Sequence, residues 1–450
     1  MTPAVSAQRL EVRPGPPLGG AFQPPGDKSI THRALLLGLL AHGVSRVSNP
    51  NPGRDSESTL SCCEQLGAVV TRAGDGTIEI HGRDRALDEP ARVLDCGNSG
   101  TTLRLLAGVL AAQPFVSVLQ GDTSLNRRPV ARVMEPLRRM GASLWARGGD
   151  AYPPLAIRGA QLHAIDFALP VASAQVATCV LLAGLFATGA TIVRIPGPAR
   201  DHTERMLAGR GVPLRVEPSE GGGRLVTLVG PARLEARDVR VPGDPSAAGF
   251  FLAAAAATPG SRVTALGISL NPTRTGLLDM LERMGARVIR ENVREDSGEP
   301  AGDVTVAGPE RLTAIDVPEA WVPRMIDEIP AWAVAAARAG GVSRLRGAAE
   351  LRVKESDRLA AICGNLAQLG IEAHEREGGF DIHGGVPGGG RIDACGDHRI
   401  AMAFAVLACG AREPLIIDGA EGIGTSDPAF VATLVRLGGD VQALATEPAA

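Results

Sequence analysis

A repeated α/β architecture shared between two domains is the fold class this sequence predicts. Three observations carry it. The chain has 450 residues, too many for one ordinary hydrophobic core. A helix–glycine–strand signature recurs six times along it. A phrase near the start, PPGDKS at 24–29, returns as VPGDPSAAG at 241–249.

The signature runs from an amphipathic stretch through glycine to a β-branched run. It reads EQLGAVV at Gly67, RRMGASL at Gly141, AGRGVPL at Gly211, ERMGARV at Gly285, AQLGIEA at Gly370 and VRLGGDV at Gly438. Successive glycines are 74, 70, 74, 85 and 68 residues apart. Glycine just past a helix end accepts the left-handed conformation that stops the helix. Six such stops at near-equal intervals predict six similar units. The PPGDKS echo splits them into halves. Pro25 and Pro242 are the punctuation, each opening an apolar run. The expected domains are 26–241 and 1–25 with 242–450, with hinges near 23–26 and 240–243. The first 24 residues, too short to fold alone, are expected to join the second half. Two crossings suit closure on a ligand.

Composition narrows the function. Hydrophobic content of 44% against 21% charge reads as globular. Net charge is −3 with no basic run, which argues against nucleic acid or an anionic membrane as partner. The longest apolar runs, near Val176–Ala187 and Ala247–Ala257, fall short of the ~20 residues that span a bilayer. Seven cysteines without a CxxC pair suggest neither zinc nor a disulfide framework. A reduced, cytoplasmic protein is expected.

Of 46 basic residues only Lys28 and Lys354 are lysine. Lys28 lies in PGDKSITHR, where a Pro-Gly loop opens a helix, and helix N-termini favour anions. Ser29 and Arg33 are spaced i,i+4 and are expected to face one phosphate. An ammonium can pair with an anion and also exchange a proton, whereas arginine stays charged. Lys354 and Arg358 in LRVKESDRLAAI are read as i,i+4 neighbours on one helix, a repulsive pair unless an anion lies between them. Other polar helix starts are Asn98 to Thr101 in LDCGNSGTTLR, Arg127 and Arg128 before Pro129, and Ser173 and Gln175 in SAQVAT. Asp327 and Glu328 in MIDEIPAW and Asp397, His398 and Arg399 in GDHRIAMAF complete the set. Any one could be a plain cap; together they put cations at helix starts in both halves. There is no GxxxxGK[ST] and no well-placed GxGxxG, which disfavours nucleoside triphosphates and dinucleotides.

In combination, PGDKSITHRALLLG, GNSGTTLR, RRPVARV, SAQVAT, RDHTERML, ELRVKESDRL and GDHRIAMAF resemble the 5-enolpyruvylshikimate-3-phosphate synthase family, in that family's order. The resemblance implies the two-domain enolpyruvyl transferase fold, an inside-out α/β barrel of three βαβαββ repeats per domain. It implies enolpyruvyl transfer from phosphoenolpyruvate to shikimate 3-phosphate in the shikimate pathway, by a monomer with no metal or cofactor. By motif match, shikimate 3-phosphate would meet Lys28, Ser29, Arg33, Ser173, Ala174, Gln175, Arg200, Asp327 and Lys354. Phosphoenolpyruvate would meet Lys28, Asn98, Gly100, Arg128, Gln175, Glu355, Arg358, His398 and Arg399. Asp327 is the candidate base, and Glu355 or Lys28 the candidate acid. Gly100 would leave room for the inhibitor glyphosate.

The match departs from the commoner family pattern at Ala174, Arg200, Thr425 and Leu105, in place of a serine, an aromatic–serine pair, a phosphate-binding lysine and a proline. Two rivals differ in chemistry. The sister transferase acting on UDP-N-acetylglucosamine uses a loop cysteine, and QGDTSLNRRP has none. A non-catalytic or RNA-end-processing relative would not need Asp327, Lys354 and Glu355.

Overall fold

The computed structural model describes residues 9–444. Two compact units divide the chain. The N-terminal unit is Gly26–Val241 together with Glu295–Glu299; the C-terminal unit holds the described residues up to Pro25, Pro242–Arg294 and the described residues from Pro300. The segment 295–299 thus groups apart from its sequence neighbours, because its backbone and side chains bond to residues of the N-terminal unit. Ser297 Oγ accepts from Arg240 N at 3.0 Å, and the buried Glu299 Oε1 lies 2.7 Å from Nδ1 of the buried His202.

Six helices form the inside of the units, three in each. We number them α1 (Lys28–Leu40), α2 (Gly100–Leu110), α3 (Ala174–Gly184), α4 (Pro245–Ala257), α5 (Ile329–Arg338) and α6 (His398–Ala408). Their sequences are apolar on nearly every side, so burial on all faces is their stable state. Every residue of α4 and of α6 is buried. Small residues let the helices approach closely: a Cβ on Gly108 of α2 would lie 2.2 Å from the Cys179 carbonyl oxygen of α3.

Six sheets among the described residues cover these helices, three per unit. Five have one order. An edge strand pairs in parallel with the strand that follows an inner helix, and two antiparallel strands complete the sheet; in three of the five the edge strand is the one that precedes that same helix. Leu94–Asp95, Val116–Gln120, Tyr152–Arg158 and Ser143–Ala146 are one example. Burial alternates along Tyr152–Arg158, so one face packs inward and the other faces out. The sheet Val342–Leu345, Gly379–His383, Ala373–Arg376 has three strands, and single parallel bridges such as Asp316 to Arg344 stand where the others have a fourth.

Among the described residues, three strands sit outside their own repeat. Gly19–Phe22 precedes α1 but pairs with Arg262–Ser269 after α4, and Val239–Arg240 precedes α4 but pairs with Val44–Ser48 after α1. Arg9–Arg13 lies between Leu415–Asp418 and Asp440–Leu444. The six signature glycines all have positive φ, from 75° at Gly370 to 112° at Gly141. Each follows a helix and precedes an outer strand, which is why the signature kept its spacing.

The α2–α3 contact yields a stability test. Gly108→Ala forces a backbone carbonyl to move, and overpacking of this kind costs about 1–3 kcal/mol. Urea unfolding of the variant is expected at a lower midpoint with an unchanged slope; an unmoved midpoint would refute the close approach.

Candidate active site

In the N-terminal unit the three inner helices begin beside one another. Asp27 caps α1 by accepting from Ile30 N, which sets Lys28 at the first helical position. Lys28 Nζ donates to Asp55 Oδ2 at 2.9 Å, and Asp55 sits in the first turn of the helix Arg54–Gln65. The Asp55 carbonyl in turn accepts from Thr102 of α2 at 3.5 Å. Gln175 at the start of α3 donates to Thr101 Oγ1 at 2.9 Å and accepts from Arg104 Nη1 at 2.8 Å. Ser173 caps α3 on Val176 N, leaving Ala174 as its first residue.

Asn98 and Arg128 form a second cluster at the start of α2. Arg128 donates to the Asn98 carbonyl at 3.2 Å and to its side-chain oxygen, and Asn98 Nδ2 donates to Asp122 Oδ2 at 2.7 Å. Gly100 lies beside them: a Cβ there would be 2.7 Å from Arg104 Nη1 and 3.6 Å from Arg128 Nη1.

Ser29 and Arg33 do not simply share an outward face. Arg200 Nη1 donates to Ser29 Oγ at 3.1 Å. Arg33 is buried and spends Nε on Thr203, Nη1 on the Ser29 carbonyl and Nη2 on Thr178, at 2.7, 2.8 and 2.9 Å. A buried guanidinium must find acceptors, and these are on three elements. Burial pushes Arg33 down to about 10, against the pull of Glu204. His32 is held well below the usual histidine range by burial and by the cations Lys28 and Arg33, so it stays neutral.

In the C-terminal unit the inner-helix starts also meet. Arg399 of α6 donates to the Asp327 carbonyl at 2.7 Å, just before α5. Ser246 of α4 donates to Glu328, the residue that leads into α5. The two adjacent acids then differ. Glu328 is 1% exposed and lies 3.5 Å from Arg274, while the Asp327 side chain keeps 18% of its surface and lies 3.6 Å from both Lys354 Nζ and Arg358 Nη1. That difference separates a structural carboxylate from an accessible one.

Lys354 and Arg358 do not share a helix. Lys354 ends the short turn Ala349–Val353, and Asp357 caps a new helix, Arg358–Gln368, by accepting from Ala360 N. Aspartate competes for backbone N–H groups and favours caps over helix interiors. The two cations meet instead at Asp327. Arg358 is buried and also donates to Glu355 Oε2 at 2.6 Å and to Asp397 Oδ2 at 2.7 Å. Burial disfavours its charge, but Asp397, Glu355 and Asp327 outweigh burial and hold it above the ordinary arginine range. Asp397 caps α6 by accepting from Arg399 N, which places His398 and Arg399 in its buried first turn.

Asp55, Arg104, Thr178 and Thr203 were not expected from sequence. Arg104, Thr178 and Thr203 stand inside the motifs GNSGTTLR, SAQVAT and RDHTERML, but nothing local marks what they do, because each acts on a partner brought close only by folding. Asp397 carried a signal, a carboxylate just before an apolar helix. Of the departures, Leu105 is buried within α2 and Thr425 ends the turn Ala420–Thr425.

Inner helices with cations gathered near their starts, wrapped in repeated mixed sheets, define an enzyme that handles small anions on the enolpyruvyl transferase fold. The enolpyruvyl transferase NikO from Streptomyces tendae shares the fold, with a TM-score of 0.75 at 18% identity over 97% of this chain and 99% of that one. The family model for EPSP synthase (3-phosphoshikimate 1-carboxyvinyltransferase) matches residues 12–434, and the chain belongs to that family. The 3-phosphoshikimate 1-carboxyvinyltransferase of Acidithiobacillus ferrooxidans is 48% identical over 431 residues, 96% of this chain and 98% of the relative. The EPSP synthase structure from Acinetobacter baumannii has a TM-score of 0.85 and 41% identity, covering 96% of this chain and 99% of its own.

One carboxylate in the C-terminal unit gives a pH test. Burial pushes Asp427 up to about 7, opposed by the Ala429 N–H and reinforced by Asp244. Between the unfolded value of 3.8 and about 7 the folded state binds more protons, so this group's contribution to stability falls as pH rises. Asp427→Asn keeps the acceptor for Ala429 but cannot ionise. The melting temperature of the variant is expected to gain on the parent as pH rises from about 4 to about 7. A constant offset would contradict the burial argument.

Proposed function

We propose that this chain transfers the enolpyruvyl group of phosphoenolpyruvate to the 5-hydroxyl of shikimate 3-phosphate and releases phosphate. The observation that carries the reading is the accessible Asp327, 3.6 Å from Lys354 and from Arg358, in a member of the EPSP synthase family.

The chemistry follows from charge. The Asp327 carboxylate takes the 5-hydroxyl proton as oxygen bonds to C2 of the enol. C3 gains a proton from Glu355 or Lys28, giving a tetrahedral adduct. In the second step C3 returns that proton to the group that gave it, the bond from C2 to the phosphate oxygen breaks, and the departing phosphate takes up the proton held by Asp327, which is again a carboxylate. Lys354 and Arg358, each 3.6 Å from the Asp327 carboxylate, offset its charge. Glu355 lies against Arg358 at 2.6 Å. Lys28 is held by Asp55 at the start of α1 and can donate to a phosphate or to C3.

In this reading shikimate 3-phosphate uses Ser29, Arg33, Arg200, Ser173, Ala174 and Gln175 besides Lys28, Asp327 and Lys354. Arg33 then acts chiefly by fixing Ser29 and α3, since three of its nitrogens have internal acceptors. Phosphoenolpyruvate uses Asn98, Gly100, Arg128 and Gln175, together with Arg358, His398 and Arg399. Fixed guanidinium geometry and helix N-termini stabilise charge without reorganisation. A monomeric, cytoplasmic protein without nucleic acid as partner is part of the same proposal. Its net charge of −3 supports the last point, and no described helix is long and apolar enough to cross a membrane.

Phosphate release from phosphoenolpyruvate with shikimate 3-phosphate is the direct assay, with UDP-N-acetylglucosamine as the control acceptor. Lys28→Met and Lys354→Met are each expected to lower kcat/KM by at least about a hundredfold. Full activity of the double variant would overturn the assignment.

Gly100→Ala gives a second test. Its methyl group meets the ends of Arg104 and Arg128, next to the phosphoenolpyruvate set. The inhibition constant for glyphosate is expected to rise by a larger factor than KM for phosphoenolpyruvate. Equal factors would refute a steric role for this position.

A further inference from the structure

A two-histidine, one-carboxylate cluster lies on the outer face of the three-stranded sheet of the C-terminal unit, and none of its three residues is among those assigned above. Glu372 and His374 are two positions apart along the edge-strand segment, so their side chains share a face. Ala373 pairs with Ile382, and His383 N donates to the Glu372 carbonyl at 2.9 Å, which sets Glu372 opposite His383. One Glu372 oxygen therefore serves both rings: Oε1 is 2.8 Å from His374 Nε2 and 3.7 Å from His383 Nε2. The rings meet edge to face, with centroids 5.6 Å apart. One ligand atom from each residue lies within 4.8 Å of the other two.

We propose that Glu372, His374 and His383 bind one divalent late-transition-metal ion, of the class of Zn²⁺, Co²⁺ or Ni²⁺. Imidazole and carboxylate donors suit these ions. With metal–ligand bonds of about 2.0–2.2 Å, donors in a tetrahedral shell stand about 3.4 Å apart. The three atoms reach that spacing by small side-chain rotations, the ion replacing the His374–Glu372 hydrogen bond. Water fills the remaining position, and the half-exposed side chains leave an open path for the ion. The neighbouring Arg346 and Arg376 on this sheet are both paired with Asp381, at 2.6 and 2.7 Å, so their charge is locally offset.

The ion ties the edge strand Ala373–Arg376 to Gly379–His383. Edge strands open easily and present unpaired backbone groups. Binding to the folded state alone stabilises it by mass action. The site thus makes the stability of this sheet depend on metal supply, without a part in turnover.

The test uses the untagged full chain, stripped with chelator and titrated with Zn²⁺ by calorimetry and with Co²⁺ by visible absorption. The parent is expected to bind at this site and to melt at higher temperature with the ion. His374→Gln with His383→Gln is expected to weaken binding by at least about tenfold, a loss of about 1.4 kcal/mol, and to abolish the metal-dependent shift. Both side chains are partly exposed, so the variant is expected to fold, and its phosphate-release rate to match the parent. A parent that takes up no ion, or a double variant that binds with the parent's affinity, overturns the proposal and leaves a hydrogen-bonded surface cluster only.

Discussion

A helix that is apolar on every side has only its ends left to meet water or a ligand. Each unit contains three such helices, and their close contact requires small residues where they touch, as at Gly108. Their first turns come together for the same reason. Gln175 reaches Thr101 in one unit, and Arg399 reaches the carbonyl before α5 in the other. The candidate site occupies these ends because the rest of each helix is buried.

Convergent N-termini and clustered cations are unstable together unless anions compensate them. The protein supplies part of that compensation itself. Asp55 holds Lys28, Asp122 holds Asn98, which in turn receives Arg128, and Asp397 with Glu355 and Asp327 surrounds Arg358. These carboxylates orient the cations before any substrate arrives, which lowers the reorganisation needed in a transition state. The choice of lysine at 28 in an arginine-rich chain fits this setting, because a compact ammonium can both hold an anion and move a proton.

Much of the fold was legible along the chain because it depends on local rules. The six glycines marked helix ends that have the left-handed geometry only glycine adopts easily. The helix starts at Lys28, Gly100, Ala174 and His398 were legible from loop residues before apolar runs. One spacing argument failed for a physical reason. Asp357 chose a cap over a helix interior and so split Lys354 from Arg358; the spacing of Ser29 and Arg33 did bring them together, but it did not show that Arg33 also bonds Thr203 and Thr178. The exchange of strands between repeats, with Gly19–Phe22 pairing beside Arg262–Ser269, had no local signature at all.

The sequence by itself determined the repeat, the stops and starts of the helices, the residue types gathered at those starts and, through its motifs, the family. Tertiary structure alone decided which acid stays accessible, Asp327 and not its neighbour Glu328, and which partners hold each cation in place. The physical reason is distance along the chain. Capping and helix stops act over a few residues, whereas burial and long-range hydrogen bonds join groups as remote as the Asp327 carbonyl and Arg399, which meet only once the core has packed.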